Sequence, residues 1–291
     1  MANETTFALV EGDLGYDYAL LAEEIISARY AYDNVRDLAR TKDIGSFPSD
    51  SARFPLYPAL SAAALTDGTD LTTNTAFNPT NATFAVSEVG LKLILTDLAN
   101  TGSFLGDSDL ATEAGKAVLE KINTDLVALG SGFSTVVGGT GVNLTELNVE
   151  DALVTLIGNK TPDDVVAILH ERQWFDLIND IGTSISPAGT TGGTARGETN
   201  DLTIAGKGGM GGVLYGVEFR VNPLVPTANA GADRAGAMFI RNRAIALVIK
   251  WFIRPEFERD ASYRGTETVV TAAYATGEIE DASGVAIITD A

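Results

Sequence analysis

The chain has 291 residues, 45% hydrophobic and 20% charged, which is a globular balance rather than a disordered one. It has no cysteine and one histidine, His170, so disulfide frameworks, thiolate metal sites and His-based relays within one subunit are excluded. Its formal net charge of −19 repels phosphate backbones, so sequence-specific nucleic-acid recognition is not expected; the charge fits either plain solubility or a container wall that must not stick to packed nucleic acid.

The N-terminal stretch MANETTFALVEGDLGYDY lacks a basic segment followed by an apolar run, so no secretory signal is expected. No uncharged apolar stretch is long enough to span a bilayer, and the sequons at Asn81 and Asn143 then carry no meaning. From Tyr18 to Val35, Leu21, Ile25, Ile26, Ala28, Tyr32 and Val35 recur at helical spacing and predict an amphipathic arm helix. Three prolines in 41–58 predict an extended connection.

Residues 53–97 read as a long hairpin, with an apolar run at each end and Thr, Asn, Asp and Gly between. Such a finger has little core of its own and needs support from outside, which a neighbouring subunit can give. Residues 107–129 form the strongest helix. Asp107 or Ser108 is placed to cap it, Gly130 to end it, and Ala111, Ala114, Val118, Ile122, Leu126 and Leu129 share one face. A Gly-rich turn at 138–141 leads to a shorter helix at 149–157, with Asn148 as cap and Gly158 as stop.

VVAIL at 165–169 predicts a buried strand, entering a helix at 170–180 with Trp174, Leu177, Ile178 and Ile181 inward. Residues 182–212 are small and polar and read as a loop, followed by one period-two strand over 213–221.

Candidate chemistry is weak throughout. The run GKGGMGG (206–212) fails as a phosphate loop, because Asp201 and Gly208 stand where Gly and Ser or Thr are required. Asp163, Asp164, His170 and Glu171 suggest metal ligands less well than a turn beside a structural histidine. Glu256, Glu258 and Asp260 alternate along a strand, but Arg254, Arg259 and Arg264 are interleaved with them, which favours a solvated or inter-subunit ionic face over paired catalytic carboxylates. Arg234, Arg241, Arg243 and Lys250 add to a basic region unusual in so acidic a chain. No cofactor or metal is implied.

Four passages carry a family resemblance: VVAILHERQWFDL (165–177), LYGVEFRVNPLVP (214–226), GAMFIRNRAIALVIKW (236–251) and TVVTAAYATGEIEDASGVAIIT (268–289). In this order and spacing the chain resembles the major capsid proteins of tailed bacteriophages, which have the Hong Kong 97-type fold. The resemblance implies an α+β chain divided into an N-terminal arm (1–47), an extended β-hairpin or E-loop (48–97), a peripheral domain (98–161 and 251–291, spine helix about 108–129) and an axial domain (162–250).

It further implies a structural protein, not an enzyme, that assembles with itself into the hexamers and pentamers of an icosahedral virion shell built in the host cytoplasm. The shell would enclose double-stranded DNA without reading its sequence. The charged helical segment that precedes some family members is not seen, so a separate scaffolding protein is implied. A portal is implied too, and decoration is left open. Candidate inter-subunit contacts are Phe54, Tyr57, Phe77 and Phe84 on the hairpin and Arg241, Arg243, Arg254, Arg259 and Arg264. An encapsulin-type nanocompartment shell of the same fold is the alternative. A surface-layer protein should carry a signal peptide and repeated strand modules, and neither is seen. An enzyme should carry a cluster of perturbed ionisable groups in a cleft, and the sequence offers none.

Overall fold

The computed structural model of the chain describes residues 35–58, 60, 62, 64–68, 70, 76–98, 107–159, 164–184, 203–204 and 211–290. The predicted arm helix lies outside these, apart from Val35. Most of the 182–212 loop lies outside them as well.

Three sheets and three helices make up the described residues. Strands β1 (Arg40–Asp43), β4 (Ser87–Thr96), β12 (Ile245–Asp260) and β13 (Gly265–Glu278) form a four-stranded sheet in the order β1-β12-β13-β4. Strands β2 (Ser51–Leu56) and β3 (Thr80–Ala85) pair only with each other. An eight-stranded sheet runs β5 (Val136–Gly138), β14 (Gly284–Asp290), β11 (Asp233–Ile240), β6 (Val165–Leu169), β9 (Val217–Val221), β8 (Gly212–Leu214), β7 (Thr203–Ile204), with β10 (Thr227–Ala228) beside β11. The helices are α1 (Asp107–Ala128), α2 (Glu146–Gly158) and α3 (Glu171–Ser184).

Helix α1 joins the two large sheets. Its buried face (Ala114, Val118, Ile122, Leu126) meets Ile245, Leu247 and Val270 of the four-stranded sheet and Val166, Ile168 and Phe239 of the eight-stranded one in a single core. Tyr274 of β13 pins the helix further by donating its hydroxyl to Asp125 at 2.7 Å. On the other face of the eight-stranded sheet, Val149, Ala152 and Leu156 of α2 and Trp174 and Leu177 of α3 cover Ala167, Leu169, Phe219, Met238 and Ile287. Strands β6, β11 and β14 are thus buried on both faces, which is why VVAIL and GAMFI read as unbroken apolar runs rather than alternations.

Four expectations change. The hairpin is shorter than 48–97. After Val86, whose N–H donates to the Asp50 carbonyl at 2.8 Å, the chain leaves β2 and pairs as β4 with β13. That register lays Val89, Leu91 and Leu93, partly buried, against the α1 core, where the apolar area they withdraw from water stabilises by roughly 25 cal/mol per Å². The single strand at 213–221 is two strands around a tight turn, with Tyr215 at φ 54° and Gly216 at φ 78°. Two consecutive left-handed residues are what a two-residue hairpin turn requires.

The shorter helix starts at Glu146, so Asn148 lies inside it. The Glu146 N–H is accepted by Asp180 of α3 at 2.8 Å, a cap that comes from another element rather than from a local side chain. Finally, the sheets do not follow the boundary expected at 250/251. β12 runs across it, and β14 completes the eight-stranded sheet by pairing with β11.

Gly284 opens β14 directly beneath Phe133, and a Cβ there would fall on the far edge of that ring. Phe133 is itself held against Phe239, their ring centres 6.3 Å apart, so it has little room to yield. Gly284→Ala is expected to lower the unfolding free energy of the chain by about 1–3 kcal/mol, read as a lower urea midpoint. An unchanged midpoint would show that the strand is not clamped there.

Candidate assembly surfaces

The β2–β3 finger has an anchored base and an uncovered outer part. At the base, Ala52 and Phe54 join Ile44 and pack on Ala246, Val248, Ala275 and Ile279, the face of the four-stranded sheet opposite α1. Phe54 is only 2% exposed, and its ring lies 5.8 Å from that of Phe84. The Phe84 ring rests on Gly277, where any side chain would collide with it. Phe54 and Phe84, expected as inter-subunit contacts, are therefore anchors of the finger to its own body. The apolar area of Phe54 is already buried within the chain, and that of Phe84 in part.

Further out the picture reverses. Tyr57 is 68% and Phe77 49% exposed, and they stack on each other at 5.8 Å and 12°. Leu60 and Leu65 are also exposed. None of these four belongs to a buried apolar cluster among the described residues.

The arginines are mostly engaged within the chain. Arg241 pairs with Asp164 at 3.0 Å and with Glu218. Glu218 is shared with Arg220 at 2.7 Å, and Arg220 in turn grips Asp37 with two bonds of 2.6 and 2.8 Å. Partial burial pushes Glu218 up, but its hydrogen bonds and attraction to Arg220 and Arg241 win and hold its carboxyl below the usual range. This ladder ties the start of the described chain to β9 and β11.

Arg243 is bidentate on Glu280 at 2.6 and 3.2 Å, and Arg259 on Asp97 at 2.6 and 2.7 Å; Arg254 meets Glu256 at 2.8 Å. Of the five candidates only Arg264, in the exposed β12–β13 turn at φ 51°, makes no ion pair among the described residues. Surface pairs of this kind contribute little individually.

Beyond the finger base, β12, β13 and β4 keep one face on α1 and present the other to solvent. Cross-strand register places Arg254 with Thr271 and Gly90, Glu256 with Val269 and Lys92, and Glu258 with Glu267 and Ile94 on that outer face. Sequence reasoning missed a basic patch at the finger base, on the same side of this sheet. Arg40 and Lys42 of β1 sit over the Phe54 ring at 5.5 and 5.7 Å from its centre, and Lys42 Nζ donates to the Arg53 carbonyl at 3.2 Å. The Arg-Thr-Lys alternation at 40–42 was the available signal, since alternate strand residues share a face.

Catalytic geometry does not emerge among the described residues. His170 Nδ1 accepts the Arg172 N–H at 3.2 Å and its carbonyl accepts Trp174 N–H, so it caps α3, and burial holds its pKa below the ordinary value. No group of three or more His, Cys, Asp or Glu that could hold a metal converges among the described residues. A cleft of about 440 Å³ between α1 and residues 222–224 is lined by Glu113, Lys116, Glu120, Asn123, Asn222, Pro223 and Leu224, a mixed polar wall. No helix among the described residues is long and apolar enough to cross a membrane.

No family model and no curated protein matches the chain. Solved structures do. The capsid of cyanophage P-SCSP1u is 18% identical, with 87% of this chain and 86% of that one covered at a TM-score of 0.61. A structure of Mycobacterium phage Che8 is 14% identical, covering 84% and 87% at 0.65. The holo-encapsulin complex of Synechococcus elongatus is 10% identical, covering 90% and 88% at 0.61. At such identities the likeness is one of fold: the chain has the fold of tailed-phage major capsid proteins. No enzyme family is indicated among these neighbours.

The crossing from β13 to β14, between the two large sheets, carries two carboxyls shifted in opposite directions. Burial first, then the charge and hydrogen bond of Asp281, push Glu278 above the ordinary glutamate value of 4.5. The Arg243 hydrogen bond holds Glu280 below it. Glu280 contributes stability at neutral pH that is lost as pH falls through its depressed pKa. Glu278 does the reverse, costing stability as pH rises from about 4.5 through its raised pKa. Glu278→Gln should therefore raise the urea midpoint at pH 7, with the gain vanishing below about pH 4. An equal gain at both pH values would mean that ionisation is not the cause.

Proposed function

We propose that this chain is a shell subunit, the major capsid protein of an icosahedral phage head, whose copies form hexamers and pentamers around double-stranded DNA. The observation that carries this reading is the fold likeness to capsids, which spans nearly the whole of both chains. The uncovered apolar finger supports it. In this reading the finger beyond Leu56 is the extended loop, the four-stranded sheet with α1 is the peripheral lobe and the eight-stranded sheet with α2 and α3 is the axial lobe.

The mechanism is physical rather than chemical. The finger lays Tyr57 and Phe77 on a neighbouring subunit, each buried side chain adding roughly 1.5–3 kcal/mol, and a closed shell repeats that contact in every copy. Its anchored base lets the outer part re-dock during lobe rotation without unfolding the sheets beneath. Assembly takes place in the host cytoplasm with a separate scaffolding protein and a portal, and decoration is added in some shells. The DNA is held by enclosure, without sequence-specific contacts. An encapsulin-type compartment is the second reading, favoured by the equally complete likeness to the Synechococcus elongatus complex.

Electron microscopy of the purified protein, with and without a co-expressed scaffold, should show hollow icosahedral particles or capsomer rings. A monomer at every concentration would sink the proposal. Nucleic acid inside particles made in an infected host supports the phage head, and a protein cargo supports the compartment. Tyr57→Ser with Phe77→Ser should leave the urea midpoint of the subunit unchanged while cutting particle yield about tenfold or more, equivalent to ~1.4 kcal/mol per contact. Normal yield would remove the finger from the interface.

A further inference from the structure

The finger base carries three cations in a chain of net charge −19. Arg40, Lys42 and Arg53 are all exposed, and none makes an ion pair among the described residues. They are not scattered. Phe54 holds Arg40 and Lys42 over one ring, and the Lys42 Nζ bond to the Arg53 carbonyl sets this pair beside β2, from whose exposed face Arg53 projects. The one carboxylate on β1, Asp43, is turned back to accept the Gly45 N–H at 2.8 Å. Like charges held close, as Arg40 and Lys42 are over one ring, repel one another, and an anionic surface brought against them removes that cost.

The same chain carries such a surface elsewhere. On the outer face of the four-stranded sheet, the ion pairs of Glu256, Glu258 and Asp260 of β12 and Glu267 of β13 among the described residues are two, Arg254 with Glu256 and Lys92 with Glu267. Glu258 stands directly opposite Glu267, a cross-strand arrangement of like charges that is unfavourable in isolation. Glu258 has no ion pair among the described residues. The two patches cannot meet within one chain. Arg40 is in register with Ala246, and Glu258 lies about twelve residues further along β12, on the order of 35–40 Å at roughly 3.3 Å per residue.

We infer that the finger base of one copy docks through Arg40, Lys42 and Arg53 on the acidic outer sheet face of a second copy, at Glu256 and Glu258. This rests on the shell reading above and names one pair of surfaces within it. The contact joins two different patches, so it is head-to-tail, the kind that closes into rings. It also answers a problem set by composition. Subunits of net charge −19 repel at long range, and a local patch of opposite charge gives approach a preferred orientation and speeds encounter. The contact should weaken with salt, since the groups on both sides are exposed.

Assembly kinetics of charge-reversed chains test this, followed by light scattering and electron microscopy at low and high ionic strength. Arg40→Glu, Lys42→Glu and Arg53→Glu together should slow particle formation about tenfold or more at low salt, and Glu256→Lys with Glu258→Lys should do the same. All five changes in one chain restore the attraction with its sign exchanged and should recover assembly, a result that misfolding would not give. The neutral set Arg40→Gln, Lys42→Gln and Arg53→Gln should lose both the rate advantage and its salt dependence. Parent-like assembly of the reversed chains, or no recovery in the five-fold variant, would overturn the inference. So would reversed chains that assemble normally but lose bound nucleic acid, which would mark the patch as a polyanion surface. A parent chain that never assembles fails the shell reading itself, and the parent sample run in parallel tells the two failures apart.

Discussion

Strand β12 is buried on both faces at one end and on one face at the other, and most of the molecule is arranged around that change. From Ile245 to Ile249, alternate side chains enter the α1 core and the finger-base core, so every residue is apolar. From Arg254 onward only the α1 side is covered, and the text becomes an alternation of charged residues with Pro255 and Phe257. The finger can be anchored only on the first half. The bare outer sheet can exist only on the second.

That division separates the forces that hold the chain together from the surfaces it leaves exposed. Inside, α1 ties two sheets into one core, and the ladder from Asp37 through Arg220, Glu218 and Arg241 to Asp164 closes the seam at the start of the described chain. Outside, the finger presents stacked aromatics, and the sheet presents carboxylates. Apolar surface gives adhesion without direction, while charge gives orientation with little adhesion. In the proposed shell, a subunit that finds its place among identical copies needs both. The structure keeps them on different elements, so that either can change without disturbing the core.

Local patterns were legible. VVAIL was a strand because both faces are covered, and ERQWFDLI was a helix because Trp174 and Leu177 recur on its buried side. The α1 face was correct at Ala114, Val118, Ile122 and Leu126. The candidate contacts were less so. Phe54 looked like a free aromatic because what buries it, Ala246 to Ile279, lies some two hundred residues away. Arg243 and Arg259 looked available because Glu280 and Asp97 are 37 and 162 residues distant in sequence. Tyr215–Gly216 was read through as strand, although a hairpin turn with two left-handed residues was open to it.

By itself the sequence determined composition-level exclusions, the helices and buried strands, and the order of parts that resembles a capsid subunit. These depend on periodicity and residue type, which are properties of neighbours along the chain. Only the tertiary structure decided where the finger ends, which sheet receives β14, which aromatics are spent on the core and which cations are left without partners. Those outcomes depend on register between distant strands. A strand with two apolar faces, or an arginine with several carboxylates to choose from, carries no local mark of which partner it will meet.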